Sequence, residues 1–281
     1  MGLTALPLKR VFIEATRGCD LTCGFCPVPR IKGKKHMTPD TAARIAEQLR
    51  AFPAALNIIV AGRGEPSLNP YLLGILSKLR TIPNATITLE TAGPAIWKKT
   101  FDPRTTETLC HKMVINTYMP AKEETQKATA RLKGLQAPKF ARGGTFVGGV
   151  APLDPQTPPK RKYCEFPFES LTCLWDGTIS LCPLDWKGEA QTGNIYRDNL
   201  TILWRHSPRL YWSRRFLANR IRCPFPWCAT CNHEDRQPDH IKHRRLEQED
   251  VHAMRRAWNL GGQDGTKKKE AHNGTLHNMP K

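Results

Sequence analysis

KRVFIEATRGCDLTCGFC, residues 9–26, decides the reading of this chain. Its first half, 9–16, is a short run of apolar, aromatic and β-branched residues, the pattern of a buried strand. Its second half sets Cys19, Cys23 and Cys26 in one tight loop directly after that strand. Chemistry-bearing residues on the loop after a strand are the habit of βα barrels, and the chain beyond keeps to that plan. Residues 39–51 have helical period with Pro39 near the start. Residues 56–61 (LNIIVA) read as a second strand that ends at GRGEP. Residues 69–80 read as a helix with Asn69 as N-cap and Pro70 at the first position. A strand at 85–91, a short helix at 103–110, a strand at 112–118, a helix at 121–134 and a fifth strand at 144–150 continue the alternation. Such alternation gives a parallel sheet with right-handed crossovers. The expected fold is α/β, a partial (βα) TIM-like barrel over 9–150 with a small Cys-rich domain on its C-terminal side.

The pattern changes after the barrel. Residues 151–162 are Pro-rich and read as a linker. Residues 163–236 hold short strands, turns and six cysteines, with Asp176-Gly177 marking a hairpin. Residues 237–281 are polar, with a helix near 243–258 and a partly disordered tail.

Composition excludes several classes. Of 281 residues, 40% are hydrophobic and 24% charged, so collagen-like and fully disordered chains are out. No apolar run approaches the roughly 20 residues of a spanning helix, and the first ten residues lack the order of a signal peptide. The expectation is a soluble, cytoplasmic protein without a membrane partner, in the host cytoplasm if viral. Ten cysteines in such a chain argue for metal or redox work. Cys110, on an expected barrel helix, reads as a buried structural thiol.

C-x3-C-x2-C on one loop can bind three irons of a [4Fe-4S] cluster and leave the fourth iron open. Structural zinc would need a closed fourth ligand, for which His36 is the nearest choice. This stretch, with Phe25 before the last cysteine, resembles the radical S-adenosylmethionine (SAM) superfamily. The resemblance implies that the open iron chelates SAM, and that reduction yields a 5′-deoxyadenosyl radical that abstracts hydrogen from substrate. Gly62, Arg63, Gly64, Glu65 and Pro66 follow the second strand and resemble the family's GGEP motif, with Arg63 in place of its first glycine. The resemblance further nominates Thr91, Asn116 and Thr117, at strand ends, for SAM. Glu90 and Tyr118 lie near strand ends and are the candidate catalytic residues. An electron donor such as flavodoxin or ferredoxin is implied.

Cys164, Cys182, Cys228 and Cys231 have spacings that resemble the twitch or SPASM extension of the same superfamily. An aminocyclitol dehydrogenase of antibiotic biosynthesis shares this architecture. The resemblance implies a second [4Fe-4S] cluster on these four, with Cys223 or Cys173 as possible substitutes. A four-cysteine zinc knuckle remains the alternative.

Motifs name the chemistry and not the substrate. Lys plus Arg number 43 against 25 Asp plus Glu, and seven arginines stand between 197 and 222 with aromatics interleaved. Arg30, Lys32, Lys34 and Lys35 beside the first cysteines, with Arg214, Arg215, Arg220 and Arg222, suggest a phosphate track. The leading expectation is a nucleic-acid substrate, DNA above all, with rearrangement or oxidation of a modified base such as a hypermodified thymidine. The alternatives are a peptide maturase and a small-molecule sugar or aminocyclitol dehydrogenase.

Overall fold

The computed structural model describes residues 6–21, 26, 28, 33–92, 105–106, 108–116, 139–141, 164–185, 188–219 and 228. Strand β1 (Arg10–Ile13) alternates half-buried and buried residues, and so presents one face to a core. The apolar run expected over 9–16 breaks there. β2 (Thr16–Arg17) leaves the main sheet and pairs antiparallel with β3 (Lys35–His36). This two-residue ladder pins the base of the cysteine-bearing loop. α1 (Pro39–Leu49) follows, with Pro39 in its first turn and Thr38 as N-cap, its Oγ1 accepting from Thr41 N at 3.2 Å.

β4 (Leu56–Val60) comes next, then a single 3-10 turn at Pro66–Leu68 and α2 (Leu72–Arg80). The helix expected from residue 69 therefore starts later, and Asn69 is not its cap. Asn69 donates to Ala15 O at 2.6 Å and Met37 O at 3.1 Å, and accepts from Tyr71 N at 2.7 Å. The side chain is spent on holding the loop base, a long-range need that outranks local capping. β5 (Ala85–Thr91), β6 (Lys112–Asn116) and β7 (Lys139–Ala141) complete the first half. Thr105 and Thr106 are helical within the expected short helix. The helices at 121–134 and 243–258, the fifth strand at 144–150, and the linker and tail lie outside the described residues.

The second half runs α3 (Phe166–Glu169), β8 (Ser170–Cys173), β9 (Thr178–Ser180), β10 (Gln191–Asn194), α4 (Leu200–His206) and α5 (Pro208–Ala218). One sheet holds all three strands of this half, in the order β10-β9-β8-β1-β4-β5-β6-β7. β8 lies parallel to β1, as β4 does on the other side. Among the described residues six strands are thus parallel: β1, β4, β5 and β6 match expected strands, whereas β7 and β8 are additional, β8 coming from beyond the Pro-rich segment. β9 and β10 add antiparallel, and the expected hairpin turn is present, with Gly177 at φ +79° and Asp176 Oδ1 accepting from Thr178 N at 3.0 Å.

Two further ties join the halves. Gln48 of α1 donates to Ile195 O at 2.8 Å and Asp198 O at 3.2 Å, and accepts from Leu200 N at 2.7 Å. Trp204 Nε1 donates to Leu6 O at 2.6 Å. The helix-covered face of the sheet carries Val11, Ile13, Ile58, Val60, Ile87 and Leu89, all essentially without solvent contact. Among the described residues, no helix is long and apolar enough to cross a membrane.

Candidate radical SAM site and auxiliary loop

The two motif loops meet at the C-terminal ends of β1 and β4. Gly18 and Gly64 form a parallel bridge, Gly18 N donates to Arg63 O at 2.9 Å, and Glu65 N donates to Gly18 O at 3.1 Å. A Cβ on Gly64 would stand 2.1 Å from Thr16 O, so only glycine lets the backbones approach this closely. Cys19 is thereby set beside GRGEP. Its Sγ accepts from Leu21 N at 3.3 Å, and Cys182 Sγ accepts from Leu184 N at 3.4 Å. An amide aimed at sulfur favours thiolate, the form that binds iron, so the donor set fits iron–sulfur ligation.

Glu65 is fully enclosed. Its carboxylate accepts from Ser67 N at 2.9 Å, Ala92 N at 2.8 Å and the Thr91 hydroxyl. Burial pushes its pKa up while these donors pull it down. Thr91, nominated for the cofactor, positions Glu65.

Arg63 differs most from its expected role. It is 6% exposed, and its guanidinium forks onto Glu14, which is 0% exposed. Nε donates to Glu14 Oε2, Nη2 to Oε1 at 3.0 Å, and Nη1 to Asp185 O at 3.2 Å. Burial raises the Glu14 pKa, and the pairing with Arg63 opposes it. The sequence nominated Arg63 on motif position alone, and its partners, 49 and 122 residues away, carry no local signal.

The remaining nominees divide. Cys26, Cys164 and Cys228 are partly exposed, whereas Cys173 is fully buried in β8 and its thiol is pushed up to about 12 by desolvation. Cys173 thus sits within the sheet core. Cys110 is buried as expected. Cys23, Phe25, Thr117, Tyr118, Cys223 and Cys231 lie outside the described residues, and Asn116 is described only as the end of β6. Among the described residues, no three His, Cys, Asp or Glu side chains converge as a metal group. His36, the zinc alternative, sits at the loop base near Thr16 Oγ1 at 3.5 Å, and burial, then Lys34, lowers its pKa.

Glu90 faces away from Thr91, on the sheet face opposite α1 and α2. The strand register puts Glu14, Ala61 and Glu90 in one row on that face. Glu90 is half-buried, and its pKa is raised by desolvation against the pull of Lys112.

The basic track changes character. Arg214 is 1% exposed in α5, stacked over Trp204 at 4.1 Å, with Nε on Pro167 O at 2.7 Å and Nη1 on Trp204 O at 3.0 Å. Arg215 is buried beside Trp212. Neither faces solvent, because α5 packs against both α3 and α4. The aromatics read as stacking platforms are their packing partners. Lys34 pairs with Asp20, and Lys35 lies over the Trp175 ring at 6.0 Å, both remaining exposed. Arg30, Lys32, Arg220 and Arg222 lie outside the described residues.

Residues 13–111 match the radical SAM superfamily, and residues 164–232 match an iron–sulfur cluster-binding domain, SPASM. The chain carries a radical SAM domain followed by an iron–sulfur cluster-binding SPASM domain. Its cofactors are [4Fe-4S] clusters and SAM. The fold is similar to that of BtrN in complex with AdoMet and 2-DOIA, at TM-score 0.70 and 21% identity, covering 84% of this chain and 97% of that one. BtrN in an open conformation aligns at TM-score 0.60 and 20% identity over 80% and 92% of the two chains. anSMEcpe with bound AdoMet aligns at TM-score 0.53 and 12% identity, covering 92% of this chain and all of that one. No curated protein sequence matches the chain.

Proposed function

We propose that this radical SAM protein is an oxidoreductase that removes a hydrogen atom, a proton and an electron from a small hydroxylated substrate. The observation that carries it is the pairing of β8 with β1, which makes the auxiliary hairpin the neighbour of the strand that launches Cys19. An auxiliary electron acceptor beside the radical site favours net oxidation over rearrangement. Similarity to BtrN, solved with 2-DOIA, supports a small ligand, and similarity to anSMEcpe, solved with a peptide, supports the second reading. The nucleic-acid reading loses part of its support where Arg214 and Arg215 turn inward.

When bound, SAM on a reduced [4Fe-4S] cluster supplies a 5′-deoxyadenosyl radical that takes hydrogen from a substrate carbon. Cys19, Cys23 and Cys26 would hold that cluster, and Glu65 with Gly64 would cradle the methionyl end. Cys164, Cys182, Cys228 and Cys231 would hold the group that receives the remaining electron. The Glu90 carboxylate, with its raised pKa, would accept the hydroxyl proton.

Iron analysis tests the assignment. Anaerobically reconstituted wild type should bind about eight irons, two clusters of four, and Cys19→Ala and Cys182→Ala about four each. Cys19→Ala should lose SAM cleavage altogether. Full iron in either variant would refute that cysteine's ligand role, as would retained SAM cleavage in Cys19→Ala.

A further inference from the structure

Arg63 connects the GRGEP loop to the loop that follows Cys182. The connection is specific in shape as well as charge. One guanidinium edge meets both Glu14 oxygens, and the remaining Nη1 reaches Asp185 O at 3.2 Å. A lysine could meet Glu14 but has no second edge for the carbonyl. The loop is built to receive it. Asp185 N donates to Cys182 O at 3.3 Å, and the Asp185 carboxylate accepts from Glu189 N at 2.8 Å and Ala190 N at 2.7 Å. Ser180 Oγ donates to the same carboxylate at 3.2 Å. Gly188, at φ +76°, would place a Cβ 3.1 Å from Arg63 Nη1, so a side chain there would crowd the guanidinium. Glu14 also accepts a backbone hydrogen bond from Trp175 in the β8–β9 turn. The ion pair thus touches the segments after β1, β4, β8 and β9 at once.

We infer that Arg63 is a positioning residue that latches the Cys182–Ala190 loop onto the SAM-binding loops and so fixes the auxiliary cluster relative to the radical site. Electron transfer between the sites depends on a held separation, and the latch is a buried, directional contact between their loops. The inference rests on the two-cluster reading above. Glycine at this motif position would leave Glu14 as a buried carboxylate without its cation, which explains why the two residues belong together.

The test compares wild type, Arg63→Lys and Arg63→Gly as full chains, by hydrogen exchange and by electron paramagnetic resonance of the reduced clusters. Arg63→Lys should fold, speed exchange across 182–190 by at least about tenfold, matching the loss of one buried contact, and alter the auxiliary-cluster signal. Exchange across β5 and β6 should stay as in wild type. Arg63→Gly should show the larger effect, and if it does not fold the lysine variant alone decides. Unchanged exchange at 182–190 and an unchanged auxiliary signal in a variant with full iron would overturn the latch alone. Wild type with only four irons would overturn the two-cluster reading, and the latch with it.

Discussion

Glu65, in the loop after β4, and Glu90, on the neighbouring strand β5, both have pKa values raised by burial but sit among different partners. Glu65 has three donors around its carboxylate, while Glu90 has a single cationic neighbour, Lys112, and partial burial. A carboxyl whose pKa is raised in the folded state binds its proton more tightly there than in the unfolded chain. Its contribution to stability is full below the ordinary carboxylate range and is lost as pH rises through the folded value. Glu90→Gln mimics the protonated form at every pH. Its melting temperature should therefore gain on wild type as pH rises from about 4, the ordinary Glu range, and hold level above the folded value. The same variant should lose product formation by about a hundredfold, the size of a general-base effect. A constant offset in melting temperature across pH would show that Glu90 does not titrate abnormally. At this scale the sequence was informative where residues sit in one motif. The Cys19 loop and the GRGEP loop, which the fold brings together, were legible from spacing. The Arg63–Glu14 pair was not, because a bidentate contact between two loops leaves no trace in either.

Among the elements, β5 was legible to the residue, since ATITLET alternates cleanly between apolar and polar. β8 was read as part of a separate hairpin, because its four residues (SLTC) are buried on both faces and have no period to reveal a parallel neighbour. That pairing places the Cys173 side chain in the sheet core at 0% exposure. Cys173→Ala should keep the full iron content and lower stability by about 1 kcal/mol, as a small core deletion does. Iron falling to half would return Cys173 to the ligand set. α5 was misread for a related reason. Its arginines alternate with aromatics as a solvated nucleic-acid face would, yet eight of its residues are buried. Arginine can be buried when its guanidinium stacks on an indole and its N–H groups find carbonyls, as Arg214 does.

Across the whole molecule, a net charge of +18 shaped the expectation of a polyanionic substrate. Net charge speaks to solubility and encounter, not to the site. The structure spends part of it inside, at Arg63, Arg214 and Arg215, and some of the exposed remainder on neighbours such as Asp20 and Trp175. On the sheet face that carries the buried Arg63–Glu14 pair, the half-buried Glu90 is the carboxylate that would meet a small polar substrate. The most direct measurement is SAM cleavage under anaerobic reduction, read as 5′-deoxyadenosine, with native low-mass extract, peptide extract, DNA or RNA added in turn. The account predicts a rise with the low-mass extract that survives both protease and nuclease treatment. A rise that requires intact nucleic acid and disappears at high salt would contradict it.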